Sequence, residues 1–255
     1  MILFKLGRFF LLNKNLKFLL LLSFLFASNL NRDHNVKMFS FLGIKFKIVE
    51  NGNSPNRYIW LHGDEMTAKM ALNNHMKNYS GIAFFIQNEQ REIPFNSTII
   101  DPNRIFSREG SYHALKKFKS NWELNSLENA LNEIDRERER FLKIIMPPKE
   151  GILISVHNNF RGYNIKSEIK NSQKVSIKEN QNPRDFILCT NEKDFSKLKE
   201  GPYNVVLQNK LPAKDDGSLS WALLRNNIRY INVETRLGYL TKQKKILSFI
   251  EEQLD

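Results

Sequence analysis

The sequence holds a single cysteine, Cys189, in 255 residues. An intramolecular disulfide is therefore excluded in any compartment. Cys189 closes the apolar run Phe186-Ile187-Leu188-Cys189, which reads as a buried strand, so a catalytic thiol is not expected there. Glycine is sparse, at 11 residues, and neither a low-complexity tract nor an internal repeat is present. Extensive disorder beyond the N-terminus is excluded on that ground. No basic stripe interleaved with aromatics occurs, which argues against a nucleic-acid partner. Only one long apolar run is found, within residues 18–27.

What is present fits one globular domain. Hydrophobic residues make up 41% of the chain and charged residues 26%, enough apolar material for one sizeable core. Residues 1–28 stand apart. Lys5, Arg8, Lys14 and Lys17 precede the apolar run Phe18 to Ala27, and small and polar residues follow from Ser28. A basic start, a short apolar stretch and a small-residue exit describe a secretory signal peptide, with an uncleaved N-terminal anchor as the alternative. The expectation is an exported protein, periplasmic or extracellular, that meets the membrane only through an uncleaved leader. The formal net charge is +12; residues 1–28 hold four basic residues and no acid, so the remainder carries +8. Lys and Asn are abundant throughout, and that bias accounts for the charge better than an anionic partner does.

Beyond the leader, apolar strands alternate with helical stretches. Ile44–Val49, Tyr58–Leu61, Ile82–Ile86, Gly151–Val156, Phe186–Cys189, Asn204–Leu207 and Arg229–Val233 read as strands. Helices are expected over 65–79, in one or two pieces over 112–145, and over 192–199, 218–226 and 239–253. Residues 94–110 and 160–180 read as loops, and the mixed-charge run Glu133 to Arg140 as a solvated helix face. The pattern predicts an α/β three-layer sandwich over residues 40–255, with a mixed, mostly parallel central sheet flanked by helices. In such sheets chemistry collects at the carboxyl ends of strands. His62, Asn88 to Arg91, His157 and Glu234 all follow a predicted strand.

His62 and Glu65 lie three positions apart at a strand-to-helix corner in His62-Gly63-Asp64-Glu65. An imidazole and a carboxylate so placed suit one zinc ion, and His157 is the candidate third ligand, leaving a fourth position open as catalytic zinc requires. In Asp101-Pro102-Asn103-Arg104, the guanidinium fork of Arg104 and the amide of Asn103 suit a substrate carboxylate; the same residues also read as a simple turn. Glu234 ends the run Tyr230-Ile231-Asn232-Val233-Glu234, where an acid can face the metal and move protons. Asp64 is a candidate to orient a liganding histidine or to cap the next helix. Arg108 and Arg161 are candidates for anion binding. His75 reads as a surface or supporting histidine.

Taken in this order, the pieces resemble the zinc carboxypeptidase superfamily, which includes metallocarboxypeptidases, murein-peptide amidases and the succinylglutamate desuccinylase–aspartoacylase branch. The resemblance covers roughly residues 45–250 and extends to the run Asp215 to Ser220. It implies one Zn2+ held by His62, Glu65 and His157, a carboxylate clamp of Asn103 and Arg104, a carbonyl-polarising Arg91 and a catalytic Glu234. It also implies a peptide or N-acyl amino acid substrate with a free carboxylate. No residue matches the mobile tyrosine of the digestive members; Tyr230 and Tyr239 do not fit its spacing. Export favours cell-wall peptides as substrate. A non-catalytic peptide- or carboxylate-binding envelope protein with the same fold, or an N-acyl amino acid deacylase, are the alternatives.

Overall fold

A computed structural model describes residues 35–159 and 162–254. The expected leader, His34 and Arg161 lie outside the described residues. Eleven strands and seven α-helices are found among those described. They are β1 (Asn35–Phe41), β2 (Ile44–Asn51), β3 (Arg57–Trp60), α1 (Met66–Asn78), β4 (Gly81–Ile86), β5 (Ile93–Phe95), β6 (Thr98–Ile100), α2 (Arg108–Phe118), α3 (Leu124–Ile145), β7 (Leu153–Asn159), α4 (Ile165–Glu168), β8 (Lys174–Ser176), β9 (Phe186–Cys189), α5 (Glu192–Leu198), β10 (Asn204–Leu207), α6 (Leu219–Arg225), β11 (Tyr230–Arg236) and α7 (Leu240–Leu254).

Nine strands form one mixed sheet in the order β1-β2-β4-β3-β7-β11-β9-β10-β8. Its centre, β4-β3-β7-β11, is parallel throughout. Antiparallel pairing appears at β1–β2, β2–β4, β11–β9 and β10–β8, while β9–β10 is parallel. The α/β architecture matches the expectation. The additions are the seven-residue β1, which the sequence reading did not expect, and several short elements. The small β5–β6 hairpin, Ile93 to Ile100, overlaps the expected loop 94–110, and residues 160–180 contain α4, a 3-10 turn over Ile169–Asn171 and β8. Three-residue strands are too short for an alternation pattern to reveal.

The central strands are buried on both faces, as helices on either side require. Every residue of β7 is buried. Asn158 points to the α1/α7 side. There its Oδ1 accepts from the Ala68 N–H at 2.7 Å, and its Nδ2 donates to Gln243 Oε1 at 3.0 Å. The alternate residues, Ser155, His157 and Asn159, point to the opposite face. On that face α3 lays Leu127, Ala130, Leu131, Ile134, Phe141 and Ile145 inward at helical spacing. The charged run 133–140 supplies its outer surface, apart from buried Ile134 and from Arg138, whose Nη1 donates to the Ile105 carbonyl at 3.0 Å. Phe141 stacks on Phe41 with ring centroids 4.2 Å apart, anchoring the helix over the β1–β2 hairpin.

Candidate metal centre

Three segments bring the metal-ligand candidates together. β3 ends at Trp60 and α1 begins at Met66, so His62 and Glu65 occupy the corner between them. The Trp60 Nε1–H donates to the Glu65 carbonyl at 3.0 Å, fixing that corner. Glu65 is the N-cap residue of α1, yet its carboxylate makes no capping bond; both oxygens turn to histidines. β7 lies beside β3 in parallel and carries His157 into the same space. His157 and Glu234 lie inside their strands rather than just past them, because β7 and β11 run on to Asn159 and Arg236.

The His62 Nδ1 lies 2.9 Å from Glu65 Oε1, and the His157 Nδ1 lies 2.9 Å from Glu65 Oε2. The two Nδ1 atoms are 3.2 Å apart. All three residues are buried and offer ligand atoms within 4.8 Å of one another. Two imidazole nitrogens and a carboxylate facing one point form a donor set that suits a divalent cation such as zinc. Without one, hydrogen bonds to Glu65 and Asp101 at the same time require His62 to hold both ring protons. Burial opposes that charge, but Glu65 and Asp101 overcome it and raise the His62 pKa to about 9. Burial likewise pushes Glu65 upward, and the His157 and His62 rings overcome it, so its pKa falls well below the usual carboxylate range. The residues fit the ion.

The outer face of His62 is held by Asp101, whose Oδ1 is 2.9 Å from His62 Nε2. This carboxylate selects the tautomer that leaves Nδ1 free as a ligand. Asp64 does not take that part: its side chain is exposed and makes no cap bond to α1. His157 Nε2 is buried without a protein partner, so no acceptor fixes its tautomer in the same way.

Arg91 joins the centre through a close approach. The Gly63 N–H donates to the Gln90 carbonyl at 3.2 Å, and a Cβ on Gly63 would stand 2.2 Å from the Asn88 carbonyl oxygen. Only glycine admits the 88–91 loop at this distance. Arg91 Nη1 then donates to Glu65 Oε1 at 2.9 Å, and its Nε lies 3.5 Å from Asp101 Oδ2. Its Nη2 has no protein partner among the described residues.

The loop bearing Asn103 and Arg104 is tied to the centre by the same Asp101, whose Oδ1 accepts the Asn103 N–H at 2.8 Å. Asn103 Oδ1 accepts the Leu219 N–H at 2.9 Å, so its NH2 end is left as the donor toward the cavity. The run 215–220 backs this loop. Gly217 has φ +76, and its carbonyl accepts the Phe106 N–H at 2.8 Å.

Glu234 pairs directly with His157 in the β7–β11 register. It accepts from Asn232 Nδ2 at 3.1 Å and Asn159 Nδ2 at 3.4 Å. Burial raises its pKa above the ordinary glutamate value. Arg184 holds Asn159 in turn, its Nε donating to Asn159 Oδ1 at 3.0 Å. His62, Glu65, Arg91, Asn103, Arg104, His157 and Glu234 thus all line one cavity of about 430 Å³.

Among the other candidates, Tyr230 also lines this cavity, whereas His75, Arg108 and Tyr239 lie elsewhere. His75 is buried, 3.0 Å from Glu251 and stacked on Tyr79, so it belongs to the α1–α7 packing. Arg108 pairs with Glu128 and Asp135 of α3, which accounts for its charge. Tyr230 is buried, and Tyr239 packs beneath Arg236. The sequence reading missed Tyr163, whose half-buried ring lines the cavity. Burial, with Glu234 and Glu168 nearby, pushes its hydroxyl pKa well up. No sequence motif marks it, because it lies in a polar stretch without periodicity.

No family profile matches the chain, and no curated protein matches it. Among solved structures it is similar to a candidate metallopeptidase of Shewanella denitrificans OS217. The TM-score is 0.44 at 11% identity, over 91% of this chain and 87% of that one. It is also similar to a candidate metallopeptidase of Shewanella amazonensis SB2B, with a TM-score of 0.42 at 11% identity, over 94% and 92% of the two chains.

Proposed function

We propose that this chain is a zinc-dependent hydrolase that cleaves an amide or peptide bond next to a free carboxylate. The observation that carries this reading is the convergence of His62, Glu65 and His157, with their ligand atoms within 4.8 Å of one another, in a cavity that also holds Glu234, Asn103 and Arg104. His62, Glu65 and His157 would hold the ion, which would supply Lewis acidity toward the scissile carbonyl and a bound water.

The chain's own residues do the rest. Arg104 and the Asn103 amide grip the substrate carboxylate and so fix which bond lies over the centre. Glu234 accepts a proton from the attacking water as the new C–O bond forms. It passes that proton to the leaving nitrogen as the C–N bond breaks. Its raised pKa suits both halves of that transfer. The free Nη2 of Arg91 supports negative charge developing on the carbonyl oxygen. Asn159 and Asn232 hold the Glu234 carboxylate in place with neutral donors.

The export expected from the composition of residues 1–28 is likewise a proposal, and it favours cell-wall peptides with free carboxylates as substrates. The test combines metal analysis of the purified protein with muropeptide digestion, with and without chelator. About one zinc per chain and chelator-sensitive product support the reading. Protein without bound zinc that releases no product after zinc addition refutes it and leaves a binding module.

A further inference from the structure

The cavity extends well past the metal centre. Tyr230, Asn232 and Glu234, alternate residues of β11, line it together with Leu188 of β9, as the two-residue period of a strand face requires. Glu168 and Gln208 also line it. Gln208 follows β10, which the sheet order places three strands from β7 and its His157. Tyr163 OH donates to Glu168 Oε1, and buried Gln208 Nε2 donates to Glu168 Oε2, each at 2.5 Å. Both donors are neutral. Among the described residues no Lys, Arg or His stands within ion-pair distance of this carboxylate. The Lys and Arg residues lining the cavity are Arg91, Arg104 and Lys117, none of them paired with Glu168.

A carboxylate accepts about four hydrogen bonds, and the protein supplies two. Leu188 and Trp221 line the same cavity as Glu168 and Arg104, and their apolar surfaces suit a methylene stem carrying a charged head. We propose that Glu168 determines specificity by receiving the side-chain ammonium group of the residue whose carboxylate Asn103 and Arg104 hold. The substrate class is then peptides or N-acyl amino acids ending in an amino-bearing residue, lysine-like in form. This rests on the hydrolase reading above. Tyr163 and Gln208 are positioning residues that keep the carboxylate turned into the cavity.

The test measures kcat/KM of the zinc-loaded protein on N-acyl-glycyl-lysine and N-acyl-glycyl-norleucine, which differ by the ammonium group. The expected preference for lysine is roughly tenfold or more, as for a hydrogen bond to a charged group. In Glu168→Gln the lysine-to-norleucine ratio falls toward unity, through KM, and in Glu168→Asp the preference persists. Equal rates on the two substrates in the wild type, or an unchanged ratio in Glu168→Gln, overturn the inference while the hydrolase reading stands. If neither substrate is cleaved, the hydrolase reading is decided by the metal analysis and muropeptide digestion above. The inference is then decided by calorimetry of Nα-acetyl-lysine against Nα-acetyl-norleucine, where tighter lysine binding supports it and equal affinity overturns it.

Discussion

Asp101→Asn isolates a carboxylate that links the proposed metal centre to the proposed carboxylate clamp. Asp101 Oδ1 receives both the His62 ring at 2.9 Å and the Asn103 N–H at 2.8 Å, and its Oδ2 faces Arg91 at 3.5 Å. Asparagine keeps an oxygen of the same shape, so the loop bond to Asn103 survives. What is lost is the negative charge that makes the His62 contact charge-assisted. Loss of such an outer partner costs about 10–100-fold in metal affinity, or roughly 1.4–2.7 kcal/mol. Competition against a zinc-binding dye measures it. At saturating zinc, KM for a carboxylate substrate is expected to stay near the wild-type value, because the clamp loop is intact. Asp101→Ala removes the Asn103 bond as well and is expected to raise KM besides weakening the metal. Asp64→Asn, at an exposed site, is expected to leave affinity within about twofold. A zinc affinity for Asp101→Asn within that same range would refute the argument and reduce Asp101 to a turn residue.

Glu234→Gln keeps the size of a buried side chain but cannot take a proton. Turnover is expected to fall about 10²–10⁴-fold, with zinc content unchanged by elemental analysis; full activity would remove Glu234 from the reaction. Gly63→Ala forces a Cβ to within 2.2 Å of the Asn88 carbonyl oxygen. Displacing the 88–91 loop is expected to cost about 1–3 kcal/mol, seen as a lower Tm, and to weaken zinc binding by pulling Arg91 from Glu65. A Tm at the wild-type value would show that the loop yields freely. For pH, the metal-free His62 has a pKa raised from 6.5 to about 9. A raised folded-state pKa contributes stability that is complete below the unfolded value and lost as pH rises through the folded one. Chelated protein is therefore expected to lose stability between about pH 6.5 and 9, whereas zinc-loaded protein, with Nδ1 engaged, shows no such loss. Parallel thermal melts across that window distinguish the two.

The sequence by itself determined the order of the main strands and helices, the α/β class and the identity of the three metal-ligand candidates. Central strands buried on both faces must be continuous apolar runs, so β3, β4, β7 and β9 are legible as such. The corner residues His62 and Glu65 are close in the chain, and three positions suffice to aim them at one point. Tertiary structure alone decided what depends on register and on contacts across distant segments. The β7–β11 pairing sets Glu234 beside His157, and no local pattern encodes which strands become neighbours. Asp101 is chosen over Asp64 because a loop 39 residues away reaches the ring of His62, while the nearer acid turns to solvent. Tyr163, Glu168 and Gln208 meet only because α4 and the end of β10 close over the same sheet face. Short polar segments carry no periodicity, so their place in the cavity follows from packing and not from pattern.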